Sequence, residues 1–201
     1  MTGDEYANGW DENPAMKAYS DAAYASLLRL ETAGSTKIDN ARVLDFGCGT
    51  GLLTEKISAR AARVVALDPS VAMIEVLDSK IGNLGLANID TIAKPLEDAI
   101  FSHALLFDSP FDLVTCSSVC AFLEDYPATV RALSQLLRPG GAFVQWDWEL
   151  DQDSEEPSGL SRDQIDSALS AAGLRDRIVE VAFEIEHQGE RMRPLVGFGV
   201  R

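Results

Sequence analysis

A chain of 201 residues, 46% hydrophobic and 24% charged, suits one compact domain with its own core. Its formal net charge of −15 argues against binding nucleic acid, which needs Lys and Arg to neutralise phosphates. It has no run of the 18 or more apolar residues that a membrane-spanning helix needs.

The start, Met1-Thr2-Gly3-Asp4-Glu5, is acidic and lacks the apolar stretch of a secretory signal. Residues 1–12 read as polar, irregular chain and include Trp10-Asp11. Asn13 before Pro14 is a helix cap followed by a first-turn proline. Met16, Tyr19, Ala23, Leu27 and Leu30 recur at helical spacing until Gly34. The apolar run Val43-Leu44 ends in Asp45-Phe46, and Gly47-Cys48-Gly49-Thr50-Gly51 follows. That is a strand, a tight turn that a ligand can approach closely, and the start of a helix. Its spacing differs from the dinucleotide fingerprint G-x-G-x-x-G, whose third glycine serves helix–strand packing.

A second apolar run, Val64–Leu67, ends in Asp68-Pro69-Ser70. Asp68 follows the glycine turn at close to the ~20 residues expected of an acid that binds ribose hydroxyls. A carboxylate suits that task because it accepts hydrogen bonds from both hydroxyls of a vicinal diol. Met73, Ile74, Leu77 and Ile81 form a helical stripe, and a third strand is expected over residues 89–93. The stretch 96–110 is ambiguous, a short helix plus loop. Phe111–Cys116 is a buried strand running into Ser117-Ser118. Pro127 opens a helix striped by Val130, Leu133 and Leu137. The turn Arg138-Pro139-Gly140-Gly141 leads to a fifth strand and then to Trp146-Asp147-Trp148. The acid-rich stretch from Asp147 to Glu156 reads as a solvated loop or a mobile lid. Ser161 and Gln164 form a capping box for a helix with Ile165 and Leu169, stopped by Gly173. Two alternating runs, Ile178–His187 and Met192–Val200, form a hairpin around Gln188-Gly189-Glu190. Strands that alternate with helices imply a parallel α/β sheet covered on both faces. Cys48, Cys116 and Cys120 cannot all pair and have no metal-ligand spacing, which suggests a reduced, cytoplasmic chain without a metal.

The D-x-G-x-G-x-G turn, the acid at Asp68, the strand ending in Ser117-Ser118 and the phrase Leu137-Arg138-Pro139-Gly140-Gly141 occur in one order over roughly residues 38–150. Together they resemble the motifs of class I S-adenosylmethionine (SAM) dependent methyltransferases. The resemblance implies a Rossmann-like, doubly wound sheet of seven strands, the last antiparallel and inserted beside the fifth. It implies a single domain over 1–201, with residues 1–37 a helical segment over the site. It implies that Asp45 and the turn Gly47-Cys48-Gly49-Thr50-Gly51 hold the methionine and ribose portions, that Asp68 binds the ribose, and that Pro69, Ser70 and Met73 flank the adenine.

The third motif departs from the family: Ala93-Lys94-Pro95 stands where many relatives carry an acid. Leu96 remains to offer a backbone N–H to the ring. Glu97 or Asp98 replaces the acid, or simply begins an exposed helix. Ser117 falls beside the methionine carboxylate and methyl group, and Ser118, Trp10, Trp146 and Trp148 are expected to line a pocket for a flat or cationic acceptor. His187, read as the end of the sixth strand, and Asp147 are the candidate catalytic groups. The implied activity is methyl transfer from SAM to an O, N or C atom of a small molecule, by a monomer or homodimer that binds neither nucleic acid nor membrane. The alternatives are a SAM-binding partner or regulatory protein without catalysis, and a nicotinamide enzyme, which the turn spacing disfavours.

Overall fold

Parallel strands covered on both faces read as continuous apolar runs, because neither set of alternating side chains reaches water. In the computed structural model, which describes residues 7, 9–150, 159–187 and 190–201, five parallel strands form the body of the sheet. They are β1 (Arg42–Phe46), β2 (Arg63–Asp68), β3 (Ile89–Ala93), β4 (Phe111–Ser117) and β5 (Leu137–Trp148). Of these, β1, β2 and β4 carry most of that apolar signal. With β6 (Arg175–Val181) and β9 (Pro194–Val200) the order is β3-β2-β1-β4-β5-β9-β6. β9 runs antiparallel between β5 and β6, as the resemblance implied. The order reverses at β1, which pairs with β2 on one side and β4 on the other. In open α/β sheets ligands bind at this switch point, beyond the carboxyl ends of the strands.

Helices α1 (Pro14–Thr32), α2 (Leu52–Ser58) and α3 (Val71–Leu84) cover one face. Helices α4 (Leu96–Ser102), α5 (Ala104–Phe107), α6 (Tyr126–Leu136) and α7 (Arg162–Ala171) cover the other. The pleat sorts the side chains between them. Val43, Val64, Leu113 and Val144 pack toward α1 and α2, while Leu44, Val65, Val114 and Phe143 pack toward α6 and α7. Local chemistry sets several helix ends. Asn13 caps α1 with Pro14 in its first turn, and Ser161 and Gln164 form a reciprocal box at α7. None of the described helices is long and apolar enough to cross a membrane.

Two elements differ from the sequence expectation. Arg138-Pro139-Gly140-Gly141 is not a turn before the fifth strand but part of β5, entered through a register shift between Phe111 and Leu113. A Cβ at Gly141 would lie 3.0–3.2 Å from the carbonyl oxygens of Arg138, Phe111 and Asp112, so glycine lets the chains close up there. The C-terminal hairpin is divided. Its base joins the main sheet as β6 and β9, and its tip is a separate ribbon of β7 (Ile185–His187) and β8 (Glu190–Met192). His187 therefore lies in the ribbon, paired with Glu190, and not at the end of the sixth strand, which stops at Val181. The acidic stretch expected as a loop over Asp147–Glu156 instead begins inside β5, which holds Asp147 and Trp148, and its residues 151–156 lie outside the described residues, as do residues 188–189 of the expected hairpin turn.

Phe143 is fully buried at the centre of β5. Phe143→Ala is expected to lower stability by about 3–5 kcal/mol, read as a fall in the urea midpoint with an unchanged slope.

Candidate functional site

The glycine turn leaves β1 at Phe46 and is fastened to β2 by backbone bonds. Gly47 N–H and Cys48 N–H both donate to the Leu67 carbonyl, at 2.7 and 3.2 Å. Gly47, Gly49 and Gly51 all have positive φ. Added Cβ atoms at Gly47 and Gly51 would meet Val119 and Leu77 at 2.4 Å, whereas one at Gly49 would find only the Met73 sulfur, at 3.9 Å. The outer two glycines therefore serve packing, and the middle one faces open space. Gly51 in the left-handed conformation also caps α2, which starts at Leu52.

Asp68 closes the turn. One carboxylate oxygen accepts Gly49 N–H and the other accepts Ser70 N–H, each at 2.9 Å. Asp45 is buried beneath the turn and accepts from the Thr54 and Thr115 hydroxyls at 2.6 and 2.9 Å. Burial pushes its carboxyl up to about 6 against the opposing effect of those two bonds. The N-terminal segment is fastened across the same turn. Asp11 accepts the Thr50 hydroxyl at 2.5 Å and pairs with Lys80 of α3 at 2.6 Å.

These elements enclose a cavity of about 670 Å³. From the turn and β2 it is lined by Asp45, Gly47, Cys48, Gly49, Asp68 and Pro69, and from α3 by Met73. Ser117 and Ser118 reach it from β4, Trp148 from β5, and Trp10 from the N-terminal segment. Gly51 sits behind this wall against Leu77. Leu96 packs against the core at the start of α4 and Glu97 is exposed, and neither lines the cavity.

Period-two alternation splits the run Trp146-Asp147-Trp148. Trp146 faces α1 like Trp148, but it lies deeper and is fully buried in the core. Asp147 points to the opposite face, so the expectation of an acid between two tryptophans in one pocket is corrected. It accepts Ala121 N–H at 3.2 Å and Gln145 Nε2–H at 3.1 Å, and the Cys120 thiol and backbone bond to it as well. Gln145 in turn accepts the Tyr126 hydroxyl at 2.7 Å. This network holds the 3-10 turn Cys120–Phe122 from below, and burial pushes the Asp147 carboxyl up to about 7.

Several cavity residues, Tyr19 and Phe122 among them, were not singled out from sequence as site residues. Tyr19 was read as part of the α1 stripe, and it is buried, but its ring also lines the cavity against Trp148, with centroids 4.9 Å apart. Its hydroxyl donates to the Trp146 carbonyl at 2.9 Å and also bonds to the Ser117 and Ser118 side chains. A tyrosine in an apolar stripe was the available signal, because a buried hydroxyl needs a partner. Phe122 lines the cavity while 76% exposed, which no local pattern announces.

The buried Asp147 carboxyl makes stability depend on pH. Between its ordinary value near 4 and about 7, the folded chain holds a proton there that the unfolded chain releases, so stability falls as pH rises through that window. Asp147→Asn is expected to remove about 3 kcal/mol of the decline between about pH 5 and about pH 8. Urea titrations of both proteins at the two pH values measure it, and parallel declines would rule it out.

The sequence profile of a methyltransferase domain family matches residues 44–143, from β1 to the middle of β5. The chain is 35% identical over 129 residues to a ubiquinone biosynthesis O-methyltransferase of Xanthomonas axonopodis pv. citri (strain 306), covering 64% of this chain and 47% of that one. It is 31% identical over 160 residues to a cypemycin N-terminal methyltransferase of Streptomyces sp, covering 77% and 59%. It thus spans about half the length of the curated relatives it matches. A SAM dependent methyltransferase from Aquifex aeolicus has the same fold, with a TM-score of 0.68, 19% identity and coverage of 98% of this chain and 97% of that one. The chain belongs to the class I SAM-dependent methyltransferase family.

Proposed function

We propose that this chain binds SAM in the cavity at the sheet's switch point and transfers its methyl group to a small molecule. The observation that carries this reading is the position of Asp68, whose carboxylate ends β2, ties down Gly49 and Ser70, and opens onto a cavity of about 670 Å³. The residues present fit the cofactor. Asp68 brings a carboxylate, the acceptor type suited to ribose hydroxyls, to the cavity wall, and Gly49 leaves room for a close approach. Pro69 and Met73 offer apolar flanks for a flat base. Lys94, Pro95, Leu96 and Glu97 do not line the cavity, so Pro69 and Met73 take the larger part in adenine recognition.

When bound, SAM supplies an electrophilic methyl carbon on a positively charged sulfur. The chain contributes position, charge and dryness. The carboxylates of Asp45 and Asp68 favour a cation at the turn. Ser117, Ser118 and Tyr19 present hydroxyls at the end of β4, where an acceptor is oriented. Trp10, Phe122 and Trp148 exclude water. The described part of the N-terminal segment, held by Asp11 to Thr50 and Lys80, supports a covering role for this end of a single domain. Asp147 serves as the support of the 3-10 turn, not as a catalytic group. His187 in its ribbon is assigned no catalytic part. Three free thiols fit a cytoplasmic protein, working as a monomer or homodimer without nucleic acid. The relatives are named for an O-methylation and for the N-terminus of cypemycin, so oxygen and nitrogen acceptors both fall within the proposal.

Calorimetric titration tests it directly. Wild type is expected to bind SAM and not NAD, and Asp68→Ala to weaken SAM binding at least about tenfold, roughly 1.4 kcal/mol. SAM binding that ignores Asp68, or no binding at all, would overturn the proposal.

A further inference from the structure

The side of the cavity under β4 and β5 differs in chemistry from the side under β2. Phe122, Trp148 and Tyr19 present aromatic surface there, and the polar atoms among them are the hydroxyls of Tyr19, Ser117 and Ser118. Among the described residues that line the cavity there is no lysine, arginine or histidine, whereas Asp45 and Asp68 both do so. Resting on the methyltransferase reading above, we infer that the acceptor atom is the nitrogen of an amine carried on a flat, apolar body seated beside Phe122 and Trp148.

Charge supports this first. An acceptor bearing a carboxylate or phosphate would enter a cavity whose described side chains include two acids and no cation to pair with it. Proton transfer supports it further. A phenol or carbon acid must lose a proton to become a nucleophile, and the described lining has no base suited to take it. The Tyr19 phenol and Cys48 thiol are both held protonated by burial. Asp45 lies beneath the turn, held by Thr54 and Thr115, and Asp68 is the group read above as the ribose acceptor, so neither is left to serve the methyl acceptor. An amine needs no such base. It binds as the ammonium ion, which the two acids and the aromatic rings attract, and sheds its proton to water before reaction.

The transfer then balances without a protein base. The nitrogen lone pair forms the N–C bond to the methyl carbon as the S–C bond breaks, and sulfur keeps that electron pair. Positive charge passes from sulfur to nitrogen, and the resulting ammonium later loses its proton to solvent. Aromatic faces at Phe122, Tyr19 and Trp148 attract the charge as it develops on nitrogen, an interaction stronger in the transition state than with the neutral amine.

The test uses three probes of matched size, 2-phenylethylamine, 4-ethylphenol and phenylacetate. Each is titrated calorimetrically into protein saturated with S-adenosylhomocysteine, and each is incubated with protein and SAM for mass analysis. The amine is expected to bind at least about tenfold tighter than the other two and to gain the mass of one CH₂ unit, and Trp148→Ala to weaken it about tenfold. Equal or tighter binding of the phenol or the carboxylate, or methylation of either, overturns the amine assignment and leaves the methyltransferase reading standing. An amine neither bound nor methylated also overturns the assignment. A protein that does not bind SAM at all overturns the reading beneath it.

Discussion

Covering both faces of a seven-stranded sheet constrains nearly everything else in this protein. Each buried strand must send alternate side chains to two different helical layers, so neighbours in sequence become strangers in space. β5 shows the consequence. Val144, Trp146 and Trp148 go to the layer of α1 and α2, while Phe143, Gln145 and Asp147 go to that of α6 and α7. The site is built where these two layers and the strand ends meet, at the reversal of strand order between β2 and β4.

At that meeting point polar groups take over from apolar packing. The turn has no side chains of its own to hold it, apart from Cys48 and Thr50, and depends on what surrounds it. Leu67 and Asp68 hold it from β2, Asp45 lies beneath it with Thr54 and Thr115, and Asp11 reaches over it from the N-terminal segment. A buried carboxylate is costly unless hydrogen bonds offset its lost hydration. The structure places such groups where the backbone most needs acceptors.

Asp147 follows the same logic one layer away. Its carboxyl, Gln145 and Tyr126 form a connected buried network that fixes the 3-10 turn carrying Phe122 into the cavity. A group deep in the opposite layer thus shapes a wall of the site without touching anything bound there. Networks of this kind order a turn when every member has a partner.

Much of the fold was legible because its signals are local. The strand at Ile89–Ala93, the cap at Asn13-Pro14, the box of Ser161 and Gln164 and the glycine turn each declare themselves within a few residues. The half of the site built from the turn and Asp68 was legible for the same reason, since one strand–turn–helix unit and the next strand end supply it. The other half was legible in part: Trp10, Ser117, Ser118 and Trp148 were expected at the pocket, whereas Tyr19 and Phe122 come from distant elements that only helix placement brings to the same cavity. Tertiary structure also decided that Trp146 is core, that Asp147 faces away, that Arg138–Gly141 joins β5, and that His187 sits in a separate ribbon. By itself the sequence determined the elements and the motif that opens the site, because helix caps, tight turns and buried strands are stabilised by neighbours along the chain. Which side chains share a cavity was left to the tertiary structure, because pleat, register and depth in the sheet are set by partners far away in sequence.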